Sequence, residues 1–177
     1  ICVSGDLGRS YIGLQILERE KSVFLTNPKM QPELSNYSDL IEKQLKPKAR
    51  KDLIEKLSEF NIIPNSMIDI SDGLASDLIH LSVQSNLGVK IYEEKLPILK
   101  STILTANELN LNPTTCALNG GEDYELLFSV NEKDYNMLKD NDIDITSIRY
   151  FTSNKKCNLV SKEGETISLK AQGWKHF

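Results

Sequence analysis

Residues 66–81 constrain the fold more than any other part of this sequence. Residues 66–70 are short and largely apolar, which is typical of a buried β-strand. A Ser-Asp-Gly turn at 71–73 interrupts that strand, and three leucines at i, i+4 and i+7 follow in a helix that ends at 86–88. A strand, a sharp turn and an amphipathic helix in succession predict a domain in which helices pack on a sheet.

The remaining pattern extends this alternation along the chain. Further helices are predicted over residues 8–20, 38–44, 51–60, 101–111 and 132–139. Further strands are predicted over residues 1–4, 89–92, 124–130 and 143–151, with a hairpin of 158–161 and 166–169. Because the last part is rich in hairpins, the pattern favours an α+β domain with a mixed sheet over a doubly wound fold.

Composition excludes several classes of protein. The 177 residues carry a net charge of −4, and the densest basic stretch, 46–51, lies among acids, so we predict no nucleic-acid binding. Three widely spaced cysteines form no metal or disulfide motif, which favours a reducing, cytoplasmic compartment. The longest apolar runs are far too short to span a bilayer, so no membrane association is expected.

The first candidate site is the strand-to-helix junction itself. Asp69 and Ser71 point to the same side at the end of the strand, and Asp72 lies at the turn. Carboxylate and hydroxyl oxygens are ligands that Mg²⁺ prefers, and a helix N-terminus attracts phosphate. Alternatively, Ser71 or Asp72 is simply the N-cap of the helix. The acid at Asp69, in an otherwise apolar strand, leaves both interpretations open.

The second candidate site is the segment 119–124. Gly120 and Gly121 allow close backbone approach, and Glu122 and Asp123 then lie at the mouth of a strand, where they could bind a polar or cationic ligand. A tight turn with solvated acids is the better interpretation of these residues alone. The Gly-Asp-Leu-Gly segment at 5–8 lacks a phosphate-loop motif and is interpreted as a structural turn.

Two features remain beyond these sites. Trp174, near the end of the chain, could stack on a flat or cationic ligand, although aromatic residues that pin a tail to the body of a protein are commoner. No serine-hydrolase, zinc-protease or cysteine–histidine motif is present, which disfavours nucleophilic hydrolysis.

Taken together, the motifs resemble one family, the bacterial thiamine-monophosphate kinases of the aminoimidazole-ribotide-synthetase-related superfamily. The matching segments are VSGDLG (3–8), PKAR (47–50), IDISDGL (68–74), NGGEDYEL (119–126) and GWKHF (173–177). They occur in the family's order and at compatible spacings across the whole chain. Each is modest alone, but all five in order are specific.

The resemblance implies an activity and a set of site residues. Members of this family phosphorylate thiamine monophosphate to thiamine diphosphate with ATP and Mg²⁺. Asp69 and Asp72 match the aspartates that hold Mg²⁺, and Ser71 matches a position that contacts ATP. Glu122 matches a substrate-binding glutamate, and Trp174 matches an aromatic position that packs on the substrate. The resemblance further implies direct in-line phosphoryl transfer, with no catalytic nucleophile among the side chains.

The family pattern departs from this sequence in extent. Family members are about twice as long, and begin with an N-terminal domain that binds most of the metal and nucleotide and forms a homodimer. We therefore expect residues 1–177 to be the C-terminal domain, which the strand predicted at residue 1 also favours, and to have little or no activity alone. The implied fold is an α/β sandwich with a mixed sheet, packed helices and partial ferredoxin-like topology.

Two alternatives stay open. Another ATP-dependent member of the superfamily, such as an aminoimidazole-ribotide synthetase or a hydrogenase-maturation enzyme, shares much of this pattern. A non-catalytic module that binds a ligand without chemistry is the alternative from a different class.

Overall fold

The computed structural model describes residues 1–171, which form two sheets and seven α-helices. The strands are β1 (Cys2–Ser4), β2 (Ser66–Asp69), β3 (Gly88–Tyr92), β4 (Leu126–Ser129), β5 (Ile145–Ser147), β6 (Arg149–Thr152), β7 (Cys157–Val160) and β8 (Thr166–Ser168). The helices are α1 (Arg9–Thr26), α2 (Ser38–Leu45), α3 (Lys51–Glu59), α4 (Leu74–Ser85), α5 (Lys100–Glu108), α6 (Pro113–Asn119) and α7 (Glu132–Asp140).

The strands divide equally between the two sheets. The first sheet has the order β2-β4-β1-β5, and all its neighbours are antiparallel. The second has the order β6-β3-β7-β8 and is mixed, because β3 and β7 run parallel while the other pairs are antiparallel. This architecture confirms the predicted α+β class.

The apolar core forms on both faces of the first sheet. Side chains alternate along a strand, so Val3 joins the cluster that includes α4 and the second sheet, while Cys2 joins the cluster that includes α3 and α7. A third cluster joins α1, α2, α5 and α6 through residues such as Ile12 and Leu40. Because both of its faces are covered, the first sheet leaves mainly its ends to solvent, and both candidate sites lie at one end.

The strand predicted over residues 143–151 is divided in two. β5 belongs to the first sheet and β6 to the second, with the buried Ile148 between them. Arg149 has a φ of 136°, outside the range of an ordinary strand. Its backbone turns the chain from one sheet to the other, a change that periodicity along the sequence does not reveal.

Two helical features also differ from the sequence predictions. The sequence predicts no helix between residues 111 and 132, but Asn112 and Pro113 begin α6, where the Asn112 side chain accepts a hydrogen bond from the Thr115 N–H. Asparagine at the N-cap and proline in the first turn are a regular helix start. α1 extends to Thr26, six residues beyond its predicted end.

Among residues 1–171, no helix is both long enough and apolar enough to cross a membrane.

Candidate functional site

The two acidic motifs lie side by side at one end of the first sheet. β2 pairs with β4, and the backbone pairing continues past both strands: the Ile70 N–H donates to the Glu125 carbonyl at 2.8 Å, and the Tyr124 N–H to the Ile70 carbonyl at 2.9 Å. The Glu122 N–H then donates to the Ser71 carbonyl at 2.8 Å. The structure thus joins the 69–73 turn and the 119–125 segment into one surface.

Glycine permits this close approach at two positions. Gly121 has a φ of 70°, and a Cβ there would lie 2.7 Å from the Ser71 carbonyl oxygen. Gly73 has a φ of 115°, and its Cβ would lie 2.9 Å from the Leu118 carbonyl oxygen. Both the backbone conformation and the lack of space exclude a side chain, which explains why both motifs contain glycine.

Four predicted site residues meet at this surface. Asp69 and Glu122 are exposed, while Ser71 and Asp72 are half-buried. Asp72 precedes the N-terminus of α4, where no side chain of the described residues caps the helix. The predicted N-cap role of Ser71 or Asp72 is therefore not observed, because Gly73 occupies the N-cap position. Trp174 lies outside the described residues.

Asp77 is a neighbouring acid that the sequence reasoning missed. It is 2% exposed, and its Oδ2 atom has no hydrogen-bond partner among the described residues. Burial and, to a lesser degree, the nearby charges of Asp72 and Asp69 together raise the pKa of Asp77 to about 6. Its signal in the sequence was its position on the leucine stripe of α4, where an acid is unusual.

These acids have the chemistry of part of a magnesium site. Their donors are all carboxylate oxygens, and one of them, Oδ2 of the buried Asp77, has no hydrogen-bond partner among the described residues. Within residues 1–171, no three side chains of His, Cys, Asp or Glu are close enough together to hold a metal ion by themselves. Asp69 and Asp72 therefore fit Mg²⁺ as two ligands of a larger set.

Asp123, between the outward-facing residues Glu122 and Tyr124, points into the protein. It is fully buried, and its carboxyl accepts hydrogen bonds from the Gly8 N–H at 2.8 Å and the Ser10 N–H at 3.4 Å. Burial raises the pKa of Asp123 to about 7, which these hydrogen bonds partly oppose. Asp123 thus caps α1 from a distant part of the chain, so the interpretation of the 119–124 acids as solvated holds for Glu122 and fails for Asp123.

Glu125 is also buried, in an ionic network that unites three of the sequence motifs. Its carboxylate accepts hydrogen bonds from Lys43 at 2.5 Å, Arg50 at 2.8 Å and the Ser4 hydroxyl at 2.6 Å. Ser4 in turn accepts the Leu126 N–H at 2.8 Å. The network explains why the PKAR segment accompanies the acidic motifs: Arg50 anchors the 119–125 segment from the side of α3.

The comparisons with known proteins agree with this picture. No protein-family model matches the chain. Over its whole length it is 41% identical to the thiamine-monophosphate kinase of Buchnera aphidicola subsp. Schizaphis graminum (strain Sg), covering 52% of that protein. It is 34% identical to the thiamine-monophosphate kinase of Aquifex aeolicus (strain VF5), covering 51% of it.

Solved structures give the same result. The structure of AaThiL complexed with AMPPCP and TMP aligns with 99% of this chain at a TM-score of 0.79 and 31% identity, over 50% of its own length. The hydrogenase maturation protein HypE in complex with ATP aligns at a TM-score of 0.68 but at 14% identity, which shows a shared fold only. The chain spans about half the length of the curated relatives it matches, and it belongs to the thiamine-monophosphate kinase family.

Proposed function

We propose that this chain is the C-terminal domain of an enzyme that transfers a phosphoryl group from ATP to thiamine monophosphate, forming thiamine diphosphate. The observation that carries the proposal is the convergence of Asp69, Ser71, Asp72 and Glu122 at one end of the first sheet. The relatives named as thiamine-monophosphate kinases, and the solved relative bound to AMPPCP and TMP, support the substrate and the phosphoryl donor.

In this proposal the residues of the 69–73 turn bind the phosphate end of the reaction. Asp69 and Asp72 would hold Mg²⁺, together with ligands from outside this chain. The metal supplies positive charge that neutralises phosphate oxygens and aligns the reacting groups. Ser71 would donate its hydroxyl to ATP, and the uncapped N-terminus of α4 adds N–H groups suited to phosphate.

The other residues would bind the organic part of the substrate. Glu122 is exposed beside the turn and offers a carboxylate to a cationic, amino-bearing heterocycle such as thiamine. Trp174 would pack on the same ring. Transfer would be direct: a phosphate oxygen of thiamine monophosphate would attack the γ-phosphorus of ATP while the bond to the bridging oxygen breaks and ADP leaves, so no side chain of this site becomes phosphorylated.

The sharpest test replaces Asp72 in the full-length protein. Asp72→Asn removes one metal-binding charge while keeping the shape of the side chain, and we expect kcat to fall about a hundredfold or more. Asp134→Asn is the matched control, because Asp134 is also a half-buried acid at the start of a helix, α7, and should leave turnover within about twofold. Chromatography of thiamine diphosphate formed from thiamine monophosphate, ATP and Mg²⁺ measures both.

Two outcomes would contradict this proposal in different ways. Normal turnover by Asp72→Asn would remove Asp72 from the metal site. A full-length wild-type protein that leaves thiamine monophosphate unchanged, but phosphorylates or cyclises another superfamily substrate such as formylglycinamidine ribotide, would show that the substrate is wrong.

The 177-residue chain by itself should not be an efficient enzyme. Because two carboxylates are only part of a metal site, the 177-residue chain alone should bind its ligands weakly and show little or no turnover. The full-length protein should be cytoplasmic, and it should form a homodimer through its other domain. Analytical ultracentrifugation of the full-length protein and of this chain would test the oligomeric state.

A further inference from the structure

Glu122 and Tyr124 share an unusual backbone conformation. Glu122 has a φ of 60° and Tyr124 a φ of 50°. The left-handed region is unfavourable for residues with a side chain and especially for bulky ones such as tyrosine. Two such residues within three positions, beside a candidate binding surface, indicate that the orientation of their side chains matters to function.

Two backbone hydrogen bonds and the buried side chain of Asp123 hold this conformation. The N–H groups of Glu122 and Tyr124 donate to the carbonyls of Ser71 and Ile70, at 2.8 and 2.9 Å. Between them, Asp123 is held inside the protein by its bonds to the start of α1. With the intervening residue fixed inward, Glu122 and Tyr124 both extend towards the surface that carries Asp69.

The two side chains meet there. The Tyr124 hydroxyl donates a hydrogen bond to Oε2 of Glu122 at 3.0 Å. This bond to a carboxylate raises the pKa of the Tyr124 phenol, and the charge of Glu122 and, more weakly, that of Asp69 act in the same direction. The phenol thus engages one oxygen of Glu122 and leaves Oε1 to accept a hydrogen bond from a ligand.

We propose that Tyr124 is a positioning residue, whose phenol holds the Glu122 carboxylate towards the amino or cationic group of a heterocyclic substrate. The inference rests on the proposed function in taking Glu122 as a substrate contact. An exposed glutamate samples several rotamers, and fixing it in advance removes an entropic cost from binding. Tyr124 acts through Glu122 and not through the reacting phosphates, so its loss affects substrate binding and not the chemical step.

A double-mutant cycle in the full-length protein tests this inference. Tyr124→Phe removes only the hydroxyl and keeps the ring, so packing is preserved. We expect it to raise the Kd and KM for thiamine monophosphate about tenfold, with kcat unchanged. In the Glu122→Gln background, the same replacement should add less than about twofold, because the group that the phenol positions has already been changed. Tyr150→Phe, on the exposed part of β6, is the matched control and should leave Kd unchanged.

A ligand-free measurement separates this inference from the proposed function. Three-bond scalar couplings of the Glu122 side chain, measured by NMR with selectively labelled glutamate, should indicate one rotamer in the wild type and rotamer averaging in Tyr124→Phe. Identical couplings in both proteins would overturn the inference, as would equal effects of Tyr124→Phe with and without Glu122. If the wild type binds no thiamine monophosphate, the proposed substrate is wrong, and the couplings still decide whether Tyr124 fixes Glu122.

Discussion

The buried carboxylate of Glu125 allows a direct test of how the site is anchored. The side chains of Glu125, Lys43 and Arg50 are 4%, 8% and 12% exposed, so the three charges interact with little solvent screening. Glu125→Gln keeps the shape of the side chain but leaves Lys43 buried without its counter-charge, while Arg50 retains Asp52. Removing one partner of a buried ion pair costs about 3–5 kcal/mol. Because Arg50 is still paired, we expect a loss of free energy of unfolding at the lower end of this range, about 3 kcal/mol.

That loss is a substantial fraction of the stability of a typical domain, which is about 5–15 kcal/mol. In a chain of this size it corresponds to a fall in Tm of roughly 6–12 °C. Urea denaturation followed by far-UV circular dichroism measures the free energy of unfolding directly. Adding Lys43→Met to Glu125→Gln should restore part of the stability, because it removes the unbalanced charge.

Glu59→Gln is the matched control. Glu59 forms an ion pair of 2.8 Å with Lys56, but the two side chains are 57% and 45% exposed. Solvent screens such a pair, so its loss should change the free energy of unfolding by less than about 0.5 kcal/mol. If Glu125→Gln and Glu59→Gln lose the same free energy, burial does not determine the strength of the Glu125 network and the reasoning is refuted.

Two further predictions concern α1. Gly13→Ala should destabilise the protein by about 2 kcal/mol, because the new Cβ would lie 2.2 Å from the Leu40 carbonyl oxygen of α2. This outweighs the usual preference of alanine for a helix. An unchanged or raised Tm would contradict this prediction. Asp123→Asn tests the pKa of about 7, which is raised from an ordinary 3.8 by burial. The folded state binds the Asp123 proton more tightly than the unfolded state does. The contribution of this protonated carboxyl to folding stability is therefore complete below pH 4 and is lost as the pH rises towards 7. Between pH 4 and 8, the free energy of unfolding of the wild type should therefore fall by up to about 4 kcal/mol relative to that of the variant. Denaturation of both proteins across that pH range measures this difference. Parallel curves of stability against pH would show that Asp123 does not titrate there.

Much of the fold could be predicted because its signals are local. The strand at β2, the turn at 71–73 and the leucine stripe of α4 each lie within a few residues, and the helix ends where Asn86 adopts the left-handed conformation. The division of residues 143–151 between two sheets could not be predicted, because it depends on strands that are distant in sequence. α6 was missed although Asn112 and Pro113 carried a helix-start signal, since the same residues also end helices.

Some features of the candidate site could likewise be predicted from local sequence, and others could not. Local patterns identify Asp69, Ser71, Asp72 and Glu122 as candidates in two separate motifs, because carboxylates beside glycines at strand ends have recognisable chemistry. Which acids face solvent depends instead on contacts between distant parts of the chain. Glu122 points outward, whereas Asp123 and Glu125 point inward, because Asp123 has partners at the start of α1 and Glu125 has partners in α2 and before α3. Those partners lie more than seventy residues away in the chain, and no pattern within a single segment reveals them.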